Sequence, residues 1–201
     1  EYNGQDDFAK NVIAEIGLVK SELTPIGQYH SMNMKPEDFR IAYREYEEVL
    51  RANNKIDFDD MLVFTYELLR DRLDIRKMWQ QRFRYILIDE FQDINQIQYD
   101  IIRMLAAPQD NLFIVGDDDQ SIYRFRGARP EIMLNFTKDY PDAGKVILDT
   151  NYRSGAEIVR HAGNLISFNQ KRFEKKIAPA AKTGIPVVKK EFQTQREQNL
   201  Y

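Results

Sequence analysis

The chain has 201 residues, of which 43% are hydrophobic and 30% are charged, and its formal net charge is −3. This composition is typical of a soluble protein with a real core, and the near-neutral charge excludes a polybasic nucleic-acid arm. The absence of cysteine and the presence of only two histidines exclude disulfides and ordinary zinc sites. No apolar run approaches membrane-spanning length and no secretory segment opens the chain, so we expect a cytoplasmic protein without membrane contact.

Charge is unevenly distributed along the chain. Residues 1–149 carry 19 Lys and Arg against 28 Asp and Glu, whereas residues 150–201 carry 10 against 4. The acidic front part suits a metal ion and the basic back segment suits phosphate, although a solvated basic face explains the back segment equally well. Because the chain starts at Glu1 without Met and stops at Tyr201 after a Gln-rich run, we expect it to be part of a longer protein.

The N-terminal part of the chain is predicted to be helical. Ile13, Ile16 and Val19 recur at helical spacing, and Pro25 and Gly27 end that pattern. A helix from Pro36 to about Asn53 is indicated by its initial Pro and acids and by an aromatic stripe, which we expect to pack in the core. This stripe consists of Phe39, Tyr43, Tyr46 and Leu50.

The acids Asp57, Asp59 and Asp60 begin another predicted helix, which runs to about Arg72. Such a cluster resembles a metal site, but an N-cap at Asp57 and the helix dipole explain it more simply. The helical pattern continues from Ile75 to Phe83.

Three short apolar runs are predicted to be strands of one parallel sheet: Tyr85–Ile88, Leu112–Val115 and Val146–Leu148. We expect the first run to be buried on both faces. Predicted helices near Gln96–Ala106 and from Pro130 to about Lys138 separate the runs. This alternation favours parallel pairing with right-handed crossovers, so the three strands should end at the same edge of the sheet. A helix from Gly155 to Phe168 follows, and Val187-Val188 is predicted to begin a further strand.

Polar residues follow each predicted strand, at the edge where open α/β sheets bind ligands. Asp89 and Glu90 directly follow the first strand. One carboxylate of such a pair can hold Mg²⁺ and the other can orient or deprotonate an attacking water. Taken alone, the pair equally fits a strand that simply ends in a polar loop.

Three motifs occur in order along the chain: Ile88-Asp89-Glu90-Phe91-Gln92-Asp93, the run from Val115 to Ala128, and Asn151-Tyr152-Arg153-Ser154. Their order and spacing resemble signature motifs of superfamily-1 DNA helicases of the UvrD/PcrA/Rep branch. The segment Ile56–Leu62 is similar to the one by which that family re-enters its first motor domain. The resemblance covers residues 57–170 strongly and residues 1–56 only by position.

The resemblance implies an α/β fold, with a partial RecA-like parallel sheet of the P-loop NTPase type and an N-terminal helical subdomain. It implies an inserted helical subdomain over residues 1–56, the C-terminal part of the first motor domain over 57–149 and the start of the second over 150–201. The phosphate-cradling motif Gly-x-x-x-x-Gly-Lys-Ser/Thr is absent, and Gly144-Lys145 is the only Gly-Lys pair. We therefore expect an internal piece of a helicase, inactive on its own.

By the same resemblance, the cofactors are ATP and Mg²⁺. Asp89 would hold the metal, Glu90 would be the general base for hydrolysis, and Gln120 would sense the γ-phosphate or the attacking water. Arg153 would act as an arginine finger and Tyr152 would stack on the adenine. A surface salt bridge is the alternative role for Arg153, and the acids Asp117, Asp118 and Asp119 are expected to be mostly solvated.

The family's single-stranded DNA lies on aromatic residues just after the glutamine, which here are Tyr123 and Phe125. Packing in the core is the alternative for this pair. Arg126 would contact backbone phosphate or pair with an acid. The best-known members carry Gly at the position of Arg124 and Trp at that of Phe125. The short link from Gln120 to Phe125 would couple hydrolysis to strand movement.

The resemblance thus implies part of an ATP-dependent DNA helicase that moves 3′ to 5′ on single strands, in repair or replication, with single-stranded and duplex DNA as partners. A non-catalytic nucleic-acid-binding or scaffolding module derived from such a motor is the alternative. A metal-dependent phosphohydrolase or nuclease using Asp89, Glu90 and Asp93 is disfavoured, because the glutamine and the Tyr-Arg pair would then have no role.

Overall fold

A computed structural model of the protein describes residues 2–122, 127–181 and 184–201. These residues form two compact units, Glu1–Asp139 and Tyr140–Tyr201, each of which is described by itself. The first unit contains α1 (Tyr2–Ser21), α2 (Pro36–Ala52), α3 (Phe58–Asp71), α4 (Leu73–Arg82), β1 (Ile86–Ile88), α5 (Gln96–Ala106), β2 (Leu112–Ile114), α6 (Pro130–Leu134) and α7 (Phe136–Asp139). The second contains β3 (Thr150–Asn151), α8 (Ala156–Ile166), β4 (Ala178–Pro179) and α9 (Gln195–Leu200). This mixture of helices with small parallel sheets agrees with the coarse α/β prediction.

The helices α1 and α2 pack together through their apolar faces. The buried residues of this cluster are Val12, Ile16, Val19 and Phe39, with Tyr43 and Tyr46 packed against them. The predicted aromatic stripe of α2 is therefore confirmed as core at Phe39, where the ring is fully buried. Ile13 lies beside this buried stripe of α1 and is exposed. None of the described helices has the length and apolar character needed to cross a membrane.

The start of α3 confirms the predicted N-cap. Asp57 accepts a hydrogen bond from the Asp60 N–H at 2.7 Å, and Asp60 accepts one from the Asp57 N–H at 3.1 Å. This reciprocal capping box satisfies two backbone donors that the helix itself leaves unpaired. A cation from α1 also reaches this cap, because Lys20 Nζ lies 2.8 Å from Asp57 and 2.7 Å from Asp60.

The strands β1 and β2 pair in parallel, with Leu87 opposite Phe113 in the register. The expectation that the first strand is buried on both faces is wrong, since Leu87 is 70% exposed and Phe113 is 61% exposed. Their neighbours Ile86 and Ile88 point the other way and are partly buried. The described part of the chain therefore covers one face of this sheet only.

The prediction of a third strand in the same sheet is also wrong. Val146–Leu148 has no regular structure, and Val146 and Leu148 are exposed. The strand forms slightly later, at Thr150–Asn151, because that segment finds a parallel partner in Ala178–Pro179 and makes a separate small sheet with it. An apolar run becomes a strand only where another strand satisfies its backbone groups.

Two further elements differ from the predicted ones. The helix expected from Pro130 to Lys138 is divided at Asn135 into α6 and α7. Val187-Val188 forms no strand.

Candidate functional site

The acid pair lies directly after β1, and both carboxylates are exposed. Glu90 has a left-handed backbone, with φ 50° and ψ 41°, and its N–H donates to Asp89 Oδ1 at 2.9 Å. The chain then enters a 3-10 turn, Phe91–Asp93. Phe91 fixes this turn, because its ring is fully buried and its N–H donates to the Val115 carbonyl oxygen at 2.9 Å. The turn therefore holds the two acids at the C-terminal edge of the sheet.

The loop after β2 meets this turn through Gln92. The Gln92 Nε2 donates to Glu90 Oε2 at 2.6 Å, and its Oε1 accepts from the Asp117 N–H at 2.9 Å. Asp117 Oδ2 in turn accepts from Gln120 Nε2 at 2.8 Å. A continuous chain of hydrogen bonds thus joins Glu90 to Gln120 across the ends of the two strands.

The carboxylates at this edge match the chemistry of Mg²⁺, which prefers oxygen ligands. Asp89 is exposed beside the sheet end, and one of its oxygens is engaged by the Glu90 N–H. Ligand oxygens of Asp117, Asp118 and Asp119 lie within 4.8 Å of one another in the neighbouring loop. The carboxylate oxygens at this edge are therefore chemically suited to a hard divalent cation such as Mg²⁺.

The predicted DNA-binding residues Tyr123, Phe125 and Arg126 lie outside the described residues. Both flanks of their segment are attached to the turn after β1. On one side Ser121 Oγ donates to the Gln92 carbonyl oxygen at 3.3 Å, and on the other the Arg129 N–H donates to the Ile94 carbonyl oxygen at 3.0 Å.

The second flank also contacts α1. Gly127 is buried with φ +82°, a conformation that side chains rarely adopt, and a Cβ there would meet Ser21 Oγ at 3.3 Å. Arg129 pairs with Glu22 at 2.9 Å. The segment that follows the predicted DNA-binding residues is therefore held between α1 and the turn.

The second unit carries Tyr152 and Arg153 directly after β3. The Asn151 side chain accepts hydrogen bonds from the N–H groups of Arg153 at 3.0 Å and Ser154 at 2.8 Å, which folds the backbone into a tight turn. The side chains of Tyr152 and Arg153 are both exposed at this turn. They are available to a ligand at the end of the β3–β4 sheet.

The structure thus brings together Asp89, Glu90 and Gln120 at one sheet edge, and it places Tyr152 and Arg153 at the end of the separate β3–β4 sheet. The sequence predicts no role for Gln92, which is part of the first motif. The signal that could have identified it is its position, two residues after the acid pair and next to an aromatic residue.

Comparisons with known proteins agree with the motifs. Residues 7–141 match the UvrD/REP helicase N-terminal domain. The chain is 45% identical over 168 residues to the putative ATP-dependent DNA helicase YjcD of Bacillus subtilis. The aligned region covers 84% of this chain and 22% of YjcD. It is 36% identical to the ATP-dependent DNA helicase Rep of Escherichia coli, over 86% of this chain and 26% of Rep. It is also 36% identical to the ATP-dependent DNA helicase PcrA of Bacillus subtilis, over 89% of this chain and 24% of PcrA. The chain therefore spans about a quarter of the length of these curated relatives.

Proposed function

Because the chain belongs to the UvrD/Rep helicase family, we propose that it is part of an ATP-dependent DNA helicase that translocates 3′ to 5′ on single-stranded DNA. The whole protein would couple ATP hydrolysis to duplex unwinding in repair or replication. The observation that carries this proposal is the hydrogen-bonded group at the ends of β1 and β2, which combines an exposed acid pair with a glutamine. These are the groups that water activation at a triphosphate requires.

The proposal includes a RecA-like fold of the P-loop NTPase type. Its support is the parallel pairing of β1 with β2 across the connecting helix α5, with the acid pair at the carboxyl end of the strand. The rest of the full-length protein would supply the phosphate-cradling loop and cover the exposed sheet face. This chain alone would then hydrolyse no ATP.

In the proposed reaction, Glu90 accepts the proton of the attacking water. Mg²⁺ held by Asp89 would neutralise charge on the phosphates of ATP. Gln120 contacts the γ-phosphate or the water, and Arg153 stabilises the negative charge that gathers in the transition state. The exposed ring of Tyr152 stacks on the adenine.

DNA would be held next to this site. Tyr123 and Phe125 would provide stacking surfaces for bases, and Arg126 would contact a phosphate. Stacking of this kind tolerates any sequence and contributes roughly 1–3 kcal/mol per base. The attachment of both flanks to the turn after β1 supports a mechanical connection between nucleotide state and DNA contact.

The test is an unwinding assay on the full-length protein with two matched duplexes, one with a single-stranded 3′ tail and one with a 5′ tail. We expect ATP hydrolysis that single-stranded DNA stimulates, and strand separation of the 3′-tailed duplex in the presence of ATP and Mg²⁺. A non-hydrolysable ATP analogue is the control and should support no separation. DNA binding without ATP hydrolysis would contradict the proposal and favour a non-catalytic module.

A further inference from the structure

The side chain of Gln92 is enclosed between the two loops that form the candidate site. Gln92 is only 1% exposed, although the acid pair beside it is open to solvent. Its amide uses both of its ends, since Nε2 donates to Glu90 and Oε1 accepts from the Asp117 N–H. Burying a polar amide is unfavourable unless such partners are present, and here both ends have one.

The two bonds together determine how the amide is oriented. Rotating it by 180° would set its oxygen against the Glu90 carboxylate and its NH₂ group against the Asp117 N–H, which pairs two acceptors and two donors. The observed orientation is therefore the only one of the two that satisfies both partners. It directs a hydrogen-bond donor at one oxygen of Glu90.

The surrounding backbone leaves room for this amide and for little else. A Cβ at Gly116 would lie 2.5 Å from Gln92 Oε1 and 3.1 Å from the Phe91 N. Any side chain at this position would therefore displace the amide or the turn that carries it. The glycine, the turn and the amide form one close-packed group behind the acid pair.

From this geometry we propose that Gln92 is a positioning residue: its amide orients the Glu90 carboxylate for catalysis and ties it to the Asp117–Gln120 loop. The proposal rests on the function proposed above for Glu90 and Gln120. The amide reaches both through hydrogen bonds, directly to Glu90 and through Asp117 to Gln120. It lies behind the acid pair and is itself enclosed. A change in the position of Gln120 on binding or losing the γ-phosphate would be transmitted to the general base by this route.

The experiment replaces Gln92 with glutamate in the full-length protein. In its ionised form, Gln92→Glu keeps the acceptor for the Asp117 N–H but removes the donor to Glu90. Gln98→Glu is the matched control, because among the residues that the structure describes the Gln98 side chain bonds only through its Oε1, as acceptor of the Asn95 N–H, and glutamate retains that bond. Both variants introduce a carboxyl group in the same part of the fold, but only the one at position 92 is buried beside Glu90.

We expect kcat for ATP hydrolysis to fall at least about tenfold in Gln92→Glu, since a misplaced catalytic group costs up to roughly 100-fold. The KM for ATP should stay close to that of the unmodified protein and of Gln98→Glu. The melting temperature of Gln92→Glu should fall, because the new carboxyl is buried beside Glu90, so kcat is measured on the folded protein well below that temperature. A purely structural role would lower the melting temperature as well but leave the kcat of the folded protein unchanged. Equal kcat values for Gln92→Glu and Gln98→Glu would overturn the proposal.

Single-turnover measurements in a second background test whether Gln92 acts through Glu90. We expect Gln92→Glu to slow hydrolysis in the otherwise unmodified protein and to have little further effect in Glu90→Gln, because the group it orients is already removed. Equal slowing in both backgrounds would contradict the proposal.

Gly116→Ala provides an independent variant in which Gln92 itself is not substituted. Its Cβ displaces the same amide without adding charge, so kcat should fall while the KM for ATP changes less. Unchanged kcat in both Gly116→Ala and Gln92→Glu would contradict the positioning role even though the protein hydrolyses ATP. Failure of the proposed function looks different, because the unmodified protein itself would then hydrolyse no ATP.

Discussion

Glu90 holds a backbone conformation that is unfavourable for a residue with a side chain. The left-handed region costs a non-glycine residue roughly 1–2 kcal/mol, so it persists only where neighbours impose it. At Glu90 the backbone N–H is bound by Asp89 and the carboxylate by Gln92. The same left-handed backbone occurs at Leu23, Asn54 and Asp110, so what distinguishes Glu90 is that its carboxylate is held by a buried amide.

The residues of the candidate site were accessible to sequence reasoning to different degrees. Asp89 and Glu90 could be proposed because an acid pair directly after an apolar run is visible along the chain. The role proposed for Gln92 could not, since one of its partners, Asp117, lies 25 residues away. Only the parallel pairing of β1 with β2 brings the two loops together, and the sequence does not reveal which atoms then meet.

The proposed DNA contact is tested by Phe125→Ala in the full-length protein. We expect DNA-stimulated ATP hydrolysis to weaken more than basal hydrolysis, because the variant removes a stacking surface worth roughly 1–3 kcal/mol per base and leaves the acid pair intact. The measurement is ATP hydrolysis titrated with single-stranded DNA. Phe58→Ala, which removes an exposed aromatic ring at the start of α3, is the control. Equal loss of basal and stimulated activity in Phe125→Ala would speak against a DNA platform.

At the scale of the elements, a buried cation joins three helices of the first unit. Lys20 on α1 is 3% exposed at its side chain, and its Nζ lies within 2.6–2.8 Å of carboxylates from Glu47 on α2 and from Asp57 and Asp60 at the start of α3. Burial by itself lowers the pKa of Lys20, but the hydrogen bonds to these acids outweigh it and raise the pKa well above its usual value. The ammonium therefore stays charged and holds the three helices together.

We expect Lys20→Met to destabilise the packing of α1 to α3 by about 3–5 kcal/mol, because it leaves buried carboxylates without their cation. Amide hydrogen exchange of the full-length protein would measure this as faster exchange in these three helices. Lys10→Met is the matched control, since Lys10 pairs with Asp7 at an exposed site, where such a pair contributes about 0–1 kcal/mol. Similar exchange rates in the two variants would show that the buried cluster contributes little.

Stability of the same helices should fall at alkaline pH. Burial and the hydrogen bond to Asp57 raise the pKa of Tyr46 from 10.0 to about 12. A raised pKa means that the folded state favours the protonated phenol, so this contribution is complete below pH 10 and is lost as pH rises from 10 to about 12. The pKa of Lys20 is raised above its usual value of 10.5 as well, so the loss of its contribution begins within this pH range and continues to higher pH.

Hydrogen exchange of α1 to α3 at several alkaline pH values, corrected for the intrinsic exchange rate, measures this loss. In Tyr46→Phe the loss of protection across this range should be smaller, because phenylalanine has no proton to release. Tyr85→Phe, at an exposed site, controls for the removal of a phenol. An unchanged pH dependence in Tyr46→Phe would refute the assignment.

Helices and strands were predicted well where the interactions that form them join residues close together in the sequence. The cap at Asp57 depends on residues three positions apart, and the stripe of α2 depends on helical spacing, so both were visible in the sequence. The predicted strand at Val146–Leu148 failed because strand formation depends on a partner, and the partner of this region is Ala178–Pro179. That pairing spans nearly thirty residues and leaves no periodic signal.

At the scale of the whole molecule, the three motifs were sufficient to identify the family, which the match over residues 7–141 confirms. The order and spacing of short motifs can identify a family even where the overall composition is that of an ordinary soluble protein. The boundaries proposed after residues 56 and 149 stay predictions, and the compact units divide between Asp139 and Tyr140. The division depends on which segments pack together, and the motifs carry no information about that.

The most direct measurement for the central claim, that Glu90 activates the water that hydrolyses ATP, compares nucleotide binding with turnover in Glu90→Gln of the full-length protein. Glutamine keeps the shape of the side chain but cannot accept the proton. We therefore expect ATP binding to be retained and DNA-stimulated turnover to fall at least about 100-fold, whereas Glu48→Gln at an exposed site of α2 should leave both unchanged. Turnover in Glu90→Gln close to that of the unmodified protein would contradict the account.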